Sequence, residues 1–105
     1  MREANKYGAK RTWSELCQRE FASKAEARRG EELHLLQLAG EISDLEYQVK
    51  FILNEKPKIT YSADFKYICN GEDIYEDTKG VLTRDTRTKL AWLKQQQGIE
   101  VILIR

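Results

Sequence analysis

Asp64, Asp77 and Lys79 are residues whose types and spacing could do chemistry together. Asn70-Gly71 separates two alternating runs, and that dipeptide favours a two-residue type I′ hairpin turn because both of its central residues need positive φ. With that turn Cys69 pairs with Glu72, and counting outward puts Asp64 opposite Asp77, Lys66 opposite Tyr75 and Ser62 opposite Lys79, all on one face. Two carboxylates about 5 Å apart repel by roughly 3 kcal/mol at an effective dielectric near 20, which Lys66 and Lys79 offset only in part. A divalent cation such as Mg²⁺, held by carboxylate, phosphate and water oxygens, removes the conflict. The plain alternative is a solvated hairpin face. Glu76 is the competing acid, and alternation sends it to the other side with Phe65.

The elements that must position these groups follow from periodicity and caps. Residues 1 to 20 read as an irregular, basic-leaning arm with Arg2, Lys6, Lys10 and Arg11, tucked onto the body by Trp13 and Leu16. Ser23 and Glu26 form a capping-box pattern at the start of a helix through Leu33, Leu35, Leu36 and Leu38, stopped by Gly40. In LEYQVKFIL, residues Leu45, Tyr47, Val49, Phe51 and Leu53 alternate with Glu46, Gln48 and Lys50, which predicts a strand with those five on one face. Pro57 marks a turn, and Ile59 to Ile68 alternates again with Ile59, Tyr61, Ala63, Phe65 and Tyr67 on one face. A third strand covers about Asp73 to Lys79. A second helix starts near Thr83 or Asp85 and ends before Gly98, and IEVILI, Ile99 to Ile104, predicts a strand buried on both faces and paired in parallel.

Composition bounds the function. The 105 residues suit one domain with a single core, 41% hydrophobic and 33% charged, and a net charge of +1 gives no bulk attraction for nucleic acid. Cys17 and Cys69 lie far apart with no CxxC pair, which predicts neither a zinc site nor a disulfide. No apolar run approaches the roughly 20 residues that span a bilayer, and MREANKYGAKRTWSEL lacks a signal-peptide core, so a cytoplasmic protein without membrane contact is expected. Lone His34 carries no role, and Trp13 and Trp92 are expected as core or boundary anchors. Lys24, Arg28 and Arg29 on the first helix, with Arg84, Arg87, Lys89 and Lys94 on the second, ordinarily make solvated faces.

The order helix, strand, strand, strand, helix, strand, with Asp64 and the triplet Asp77-Thr78-Lys79, resembles the PD-(D/E)XK nuclease superfamily. KYGAK, FASKAEARR, LEYQVKF, YSADFKY and YEDTKG, in that order from Lys6 onward, further resemble a small phage and prophage family of formerly unknown function related to Holliday-junction resolvases. The resemblance implies an α/β, restriction-endonuclease-like core of a mixed sheet flanked by helices, with residues 1–20 as a basic arm and 21–105 as one nuclease-like domain. Residues 12 to 20 fit the family pattern poorly. Asp64 matches the first-motif acid, although Ala63 stands where the superfamily name has proline. Asp77 and Lys79 match the second-motif acid and lysine. Glu26 matches the glutamate of the first helix, though as third residue of a capping box it would be favourable there with no catalytic role. Gln48, on the polar face of the neighbouring strand, lines the same site in this reading.

The resemblance leads to the expectation of a metal-dependent DNA endonuclease that hydrolyses phosphodiesters. Asp64, Asp77 and Glu26 would hold Mg²⁺, with Mn²⁺ able to substitute, and Lys79 would orient water or neutralise developing charge. An enzyme on DNA must contact phosphates, and Lys6, Lys10, Arg11, Arg28 and Arg84 are the candidates. With no separate recognition domain, branched DNA is the expected substrate, and paired cuts in a symmetric junction predict a homodimer. In a phage-encoded protein the compartment would be the host cytoplasm. The alternative is a catalytically inactive DNA-binding or assembly protein on the same scaffold.

Overall fold

The computed structural model describes residues 10–78 and 81–104. Lys79, and the expected basic arm up to residue 9 with its Lys6, lie outside the described residues. The order is β1 (Thr12–Ser14), β2 (Arg19–Phe21), α1 (Lys24–Leu38), β3 (Ser43–Asn54), β4 (Ile59–Cys69), β5 (Glu72–Thr78), α2 (Arg84–Gln97) and β6 (Val101–Ile104). The mixed sheet runs β3-β4-β5-β6, antiparallel except for the parallel β5 and β6, while β1 and β2 form a separate small hairpin. Among the described residues no helix is long and apolar enough to cross a membrane.

The local signals act where their chemistry says they should. Ser23 caps α1 by accepting from the Glu26 N–H at 3.1 Å, and Thr83 caps α2 by accepting from the Thr86 N–H. Gly40, at φ +81°, closes α1 with paired bonds from the Gly40 N–H to the Gln37 carbonyl and from the Glu41 N–H to that of Leu36. Asn70 and Gly71 both have positive φ, and the β4–β5 ladder runs from Cys69 with Glu72 to Phe65 with Glu76 in the register the turn demands.

Strict alternation fails in one place, and the failure organises the molecule. Phe65 and Tyr67 enter a core with Phe21, Ala27, Leu33 and Ile42, against which Leu45 and Tyr47 also pack. Tyr61 and Ala63 enter a second core with Leu53 and Leu93, joined by Phe51 and Leu90. These cores lie on opposite faces: Tyr75 stands across from Lys66, hence opposite Phe65 and Tyr67, and its ring meets that of Phe51 at 5.4 Å. The single apolar face expected for β3, and likewise for β4, is therefore corrected. The switch occurs at Gln48, whose φ is +52°, between the pairs Tyr47 with Phe65 and Val49 with Ala63. A left-handed residue turns the strand over, so α1 covers one half of the sheet and α2 the other half from the opposite side.

Other expectations are also corrected. The arm is not irregular from residue 12 onward, since β1 and β2 form a hairpin held to α1 by Ser14, whose hydroxyl donates to Glu31 at 2.6 Å. Trp13 is 55% exposed and Leu16 faces solvent, so neither anchors the arm; Phe21 is the residue sunk in the core. β6 closes an edge of the sheet rather than its middle, and Ile102 is half exposed. Trp92 does pack at the edge of the second core, and both cysteines are free.

Phe21 also explains Gly30. A Cβ there would stand 2.6 Å from Cζ of the Phe21 ring, which is wedged against Tyr47 and Phe65 and cannot retreat. Gly30→Ala gains about 1 kcal/mol of helix propensity but forces overpacking that costs about 1–3 kcal/mol. We expect net destabilisation, seen as a lower urea midpoint with an unchanged slope.

Candidate functional site

The break that turns the sheet over also gathers the acids. Beyond Phe65 and Glu76 the β4–β5 ladder ends, and the next N–H of β5, that of Thr78, donates to Oδ2 of Asp64 at 2.8 Å. A side-chain carboxylate thus occupies a place that strand backbone would otherwise take. Gln48, at the matching position of β3, donates its Nε2 to Oδ1 of Asp64 and to Oε2 of Glu26, both at 3.1 Å. One amide therefore links a helix acid to a strand acid.

Asp77 is 1% exposed and accepts from the Tyr61 hydroxyl. It is also hydrogen-bonded to Asp64. Burial, then contact with Asp77, pushes the Asp64 carboxyl up to about 8, although the Thr78 N–H pulls the other way. Burial also raises Glu26, against bonds from the Ala22 backbone and Gln48. Burial and Asp77 together raise the Tyr61 phenol, which stays neutral and a donor. Glu26, Asp64, Asp77 and Gln48 therefore come together from α1, β4, β5 and β3. Among the described residues no group of three carboxylate, imidazole or thiolate side chains stands in ion-holding geometry. What fits a hard cation is the chemistry of the donor set: only oxygens, with two carboxylates in contact and a third in electrostatic reach.

Glu76 goes to the α1 face, as its pairing with Phe65 requires. There Arg29 clamps it through two 2.8 Å bonds and the Tyr67 hydroxyl donates to it; burial, then this bond to Glu76, pushes the Tyr67 phenol up to about 12. Reading Arg29 as part of a solvated helix face is corrected by this clamp. A signal was present: Arg29 lies three residues after Glu26, hence on the same side of α1, and a buried carboxylate needs a cation. Tyr61 was also missed, because nothing in alternation marks a buried hydroxyl as part of a site.

The phosphate-contact candidates are not gathered. Lys10, Arg11, Arg28 and Arg84 are exposed, Arg11 pairs with Glu20 at 3.1 Å, and Arg28 and Arg84 belong to helices on opposite faces of the sheet.

Comparison with known proteins adds one match. A family model described as a protein of unknown function, DUF1064, matches residues 4–101. No curated protein and no solved structure matches the chain.

Two outcomes are expected. Because Asp64 binds its proton more tightly folded (about 8) than at its ordinary value of 3.8, its contribution to stability is whole below about pH 4 and is lost as pH rises through 8. Asp64→Asn should therefore raise the melting temperature of the metal-free protein at pH 8.5 by about 5 °C or more, on the scale of ~1 kcal/mol, and much less at pH 4.5. Glu76→Met or Arg29→Met alone should cost about 3 kcal/mol by stranding a charge, and the double variant should recover part of that in chemical denaturation.

Proposed function

We propose that this chain, which belongs to the DUF1064 family of proteins of unknown function, is a Mg²⁺-dependent DNA endonuclease on a restriction-endonuclease-like core. The observation that carries the reading is the contact of buried Asp77 with Asp64, joined to Glu26 through the Gln48 amide. A solvated hairpin face would leave these acids apart and in water. Here three elements hold them together against their own repulsion, which is worthwhile when a cation and a phosphate are to be received.

When bound, Mg²⁺ supplies polarisation of the scissile phosphate and a water acidic enough to attack near neutral pH. The chain's own groups do the rest. Asp64 and Asp77 offer the oxygens that hold the ion, with Glu26 as the third carboxylate, and Asp64 gives up its proton on loading. The Tyr61 hydroxyl fixes the orientation of Asp77 through its Oδ2. Gln48 keeps Glu26 and Asp64 in step. Lys79, next after Thr78 in the chain, is assigned to the attacking water or to charge developing at phosphorus. No covalent enzyme intermediate is needed. Selectivity for branched DNA, as in Holliday-junction resolvases, and a homodimer with two sites complete the reading.

The test is a panel of four-way junction, flap, linear duplex and single strand, in DNA and in RNA, incubated with Mg²⁺ or with chelator. Metal-dependent cutting is expected, greatest on the junction. Asp77→Ala should lower it by more than the roughly 10–100-fold typical of losing an outer-shell partner. Tight retention of uncut DNA would instead make the protein a catalytically inactive binder.

A further inference from the structure

Arg19 differs from the other partly buried cations. Arg29 is clamped to Glu76, Lys66 lies near Glu46 and Asp73, and Lys89 pairs with Asp85. Arg19 has no ion pair among the described residues, and its buried Nε has no hydrogen-bond partner. Its guanidinium lies over the Tyr47 ring at 4.2 Å and the Phe21 ring at 5.3 Å. Phe21 is buried in the first core and Tyr47 packs against it, the two rings meeting edge to face, so the charge is set against a fixed aromatic pair. Glu26 feels this charge yet is bonded elsewhere, to Gln48 and to the Ala22 backbone.

A guanidinium set against two aromatic rings, always charged and with no ion pair among the described residues, is prepared to receive a pair of anionic oxygens. Its Nε edge is sealed inside, which leaves the terminal amino groups to meet the ligand. The group within reach of both Arg19 and an ion held by the acids would be a backbone phosphate of the substrate strand. We infer that Arg19 is a phosphate-binding residue on the α1 side of the acidic cluster, an inference that rests on the nuclease reading above. Unlike the exposed lysines and arginines, this contact is built into the fold.

The experiment measures binding to a four-way DNA junction, with Ca²⁺ replacing Mg²⁺, as a function of salt. Arg19→Gln should bind more weakly and lower the slope of log affinity against log salt by about 1, the signature of one lost phosphate contact. Arg19→Lys, which keeps the charge, should retain most of the slope; a purely structural guanidinium would leave the slope unchanged in both. Should Arg19→Gln not fold, the wild-type protein decides: the Arg19 Nε–H resonance, assigned by its loss in Arg19→Lys, should shift on adding junction DNA. An unchanged slope in a folded Arg19→Gln, or an unmoved resonance at saturation, overturns the inference while Mg²⁺-dependent cutting keeps the nuclease reading. A wild-type protein that neither binds nor cuts DNA overturns both.

Discussion

A backbone N–H inside a sheet must find an acceptor, and at Thr78 that acceptor is the carboxylate of Asp64 rather than the backbone of β4. Much of the site depends on this one substitution of side chain for main chain. It lets β4 and β5 part without stranding a donor, and it commits Asp64 to a fixed position beside Asp77. The parting coincides with the left-handed turn at Gln48, so that the place where the ladder fails is also the place where the sheet changes which face is covered. Acids from three elements can meet there because regular pairing has been given up locally.

Glu76 and Asp77 are neighbours in the chain and equally buried, yet their surroundings differ in kind. Glu76 meets a guanidinium and a phenol, which neutralise it and tie α1 to the sheet. Asp77 meets the Tyr61 phenol and the Asp64 carboxyl, which hold it in place at the site. Alternation separates the two: one side chain answers to α1 and serves cohesion, while the other answers to the α2 side and serves the site. Burying a carboxylate is costly, and at Glu76 the Arg29 guanidinium offsets that cost.

Much of this was legible in the sequence. The capping residues, Gly40, Gly98 and the Asn70-Gly71 turn act through local chemistry, so their readings carry directly into the fold, as does the register that brings Asp64 toward Asp77. The switch of faces was not legible, because Gln48 carries no obvious mark of positive φ and the odd residues of β3 and β4 remain apolar on both sides of it. Trp13 was misplaced for a related reason: hydrophobic type does not say which side of a three-residue strand meets the body, and Phe21 on the partner strand fills that place. Arg29 and Arg19 look alike as surface cations until a buried carboxylate and an aromatic floor distinguish them.

Position 48 is constrained twice over. Its backbone asks for a residue at ease in left-handed conformation, which disfavours any branching at Cβ, while its side chain must reach two carboxylates with a neutral donor. Glycine would satisfy the first demand and abandon the second; glutamate would keep the reach and add a further negative charge. Shape and chemistry are thus vested in one amide, and divergence within such a scaffold has few routes through that point.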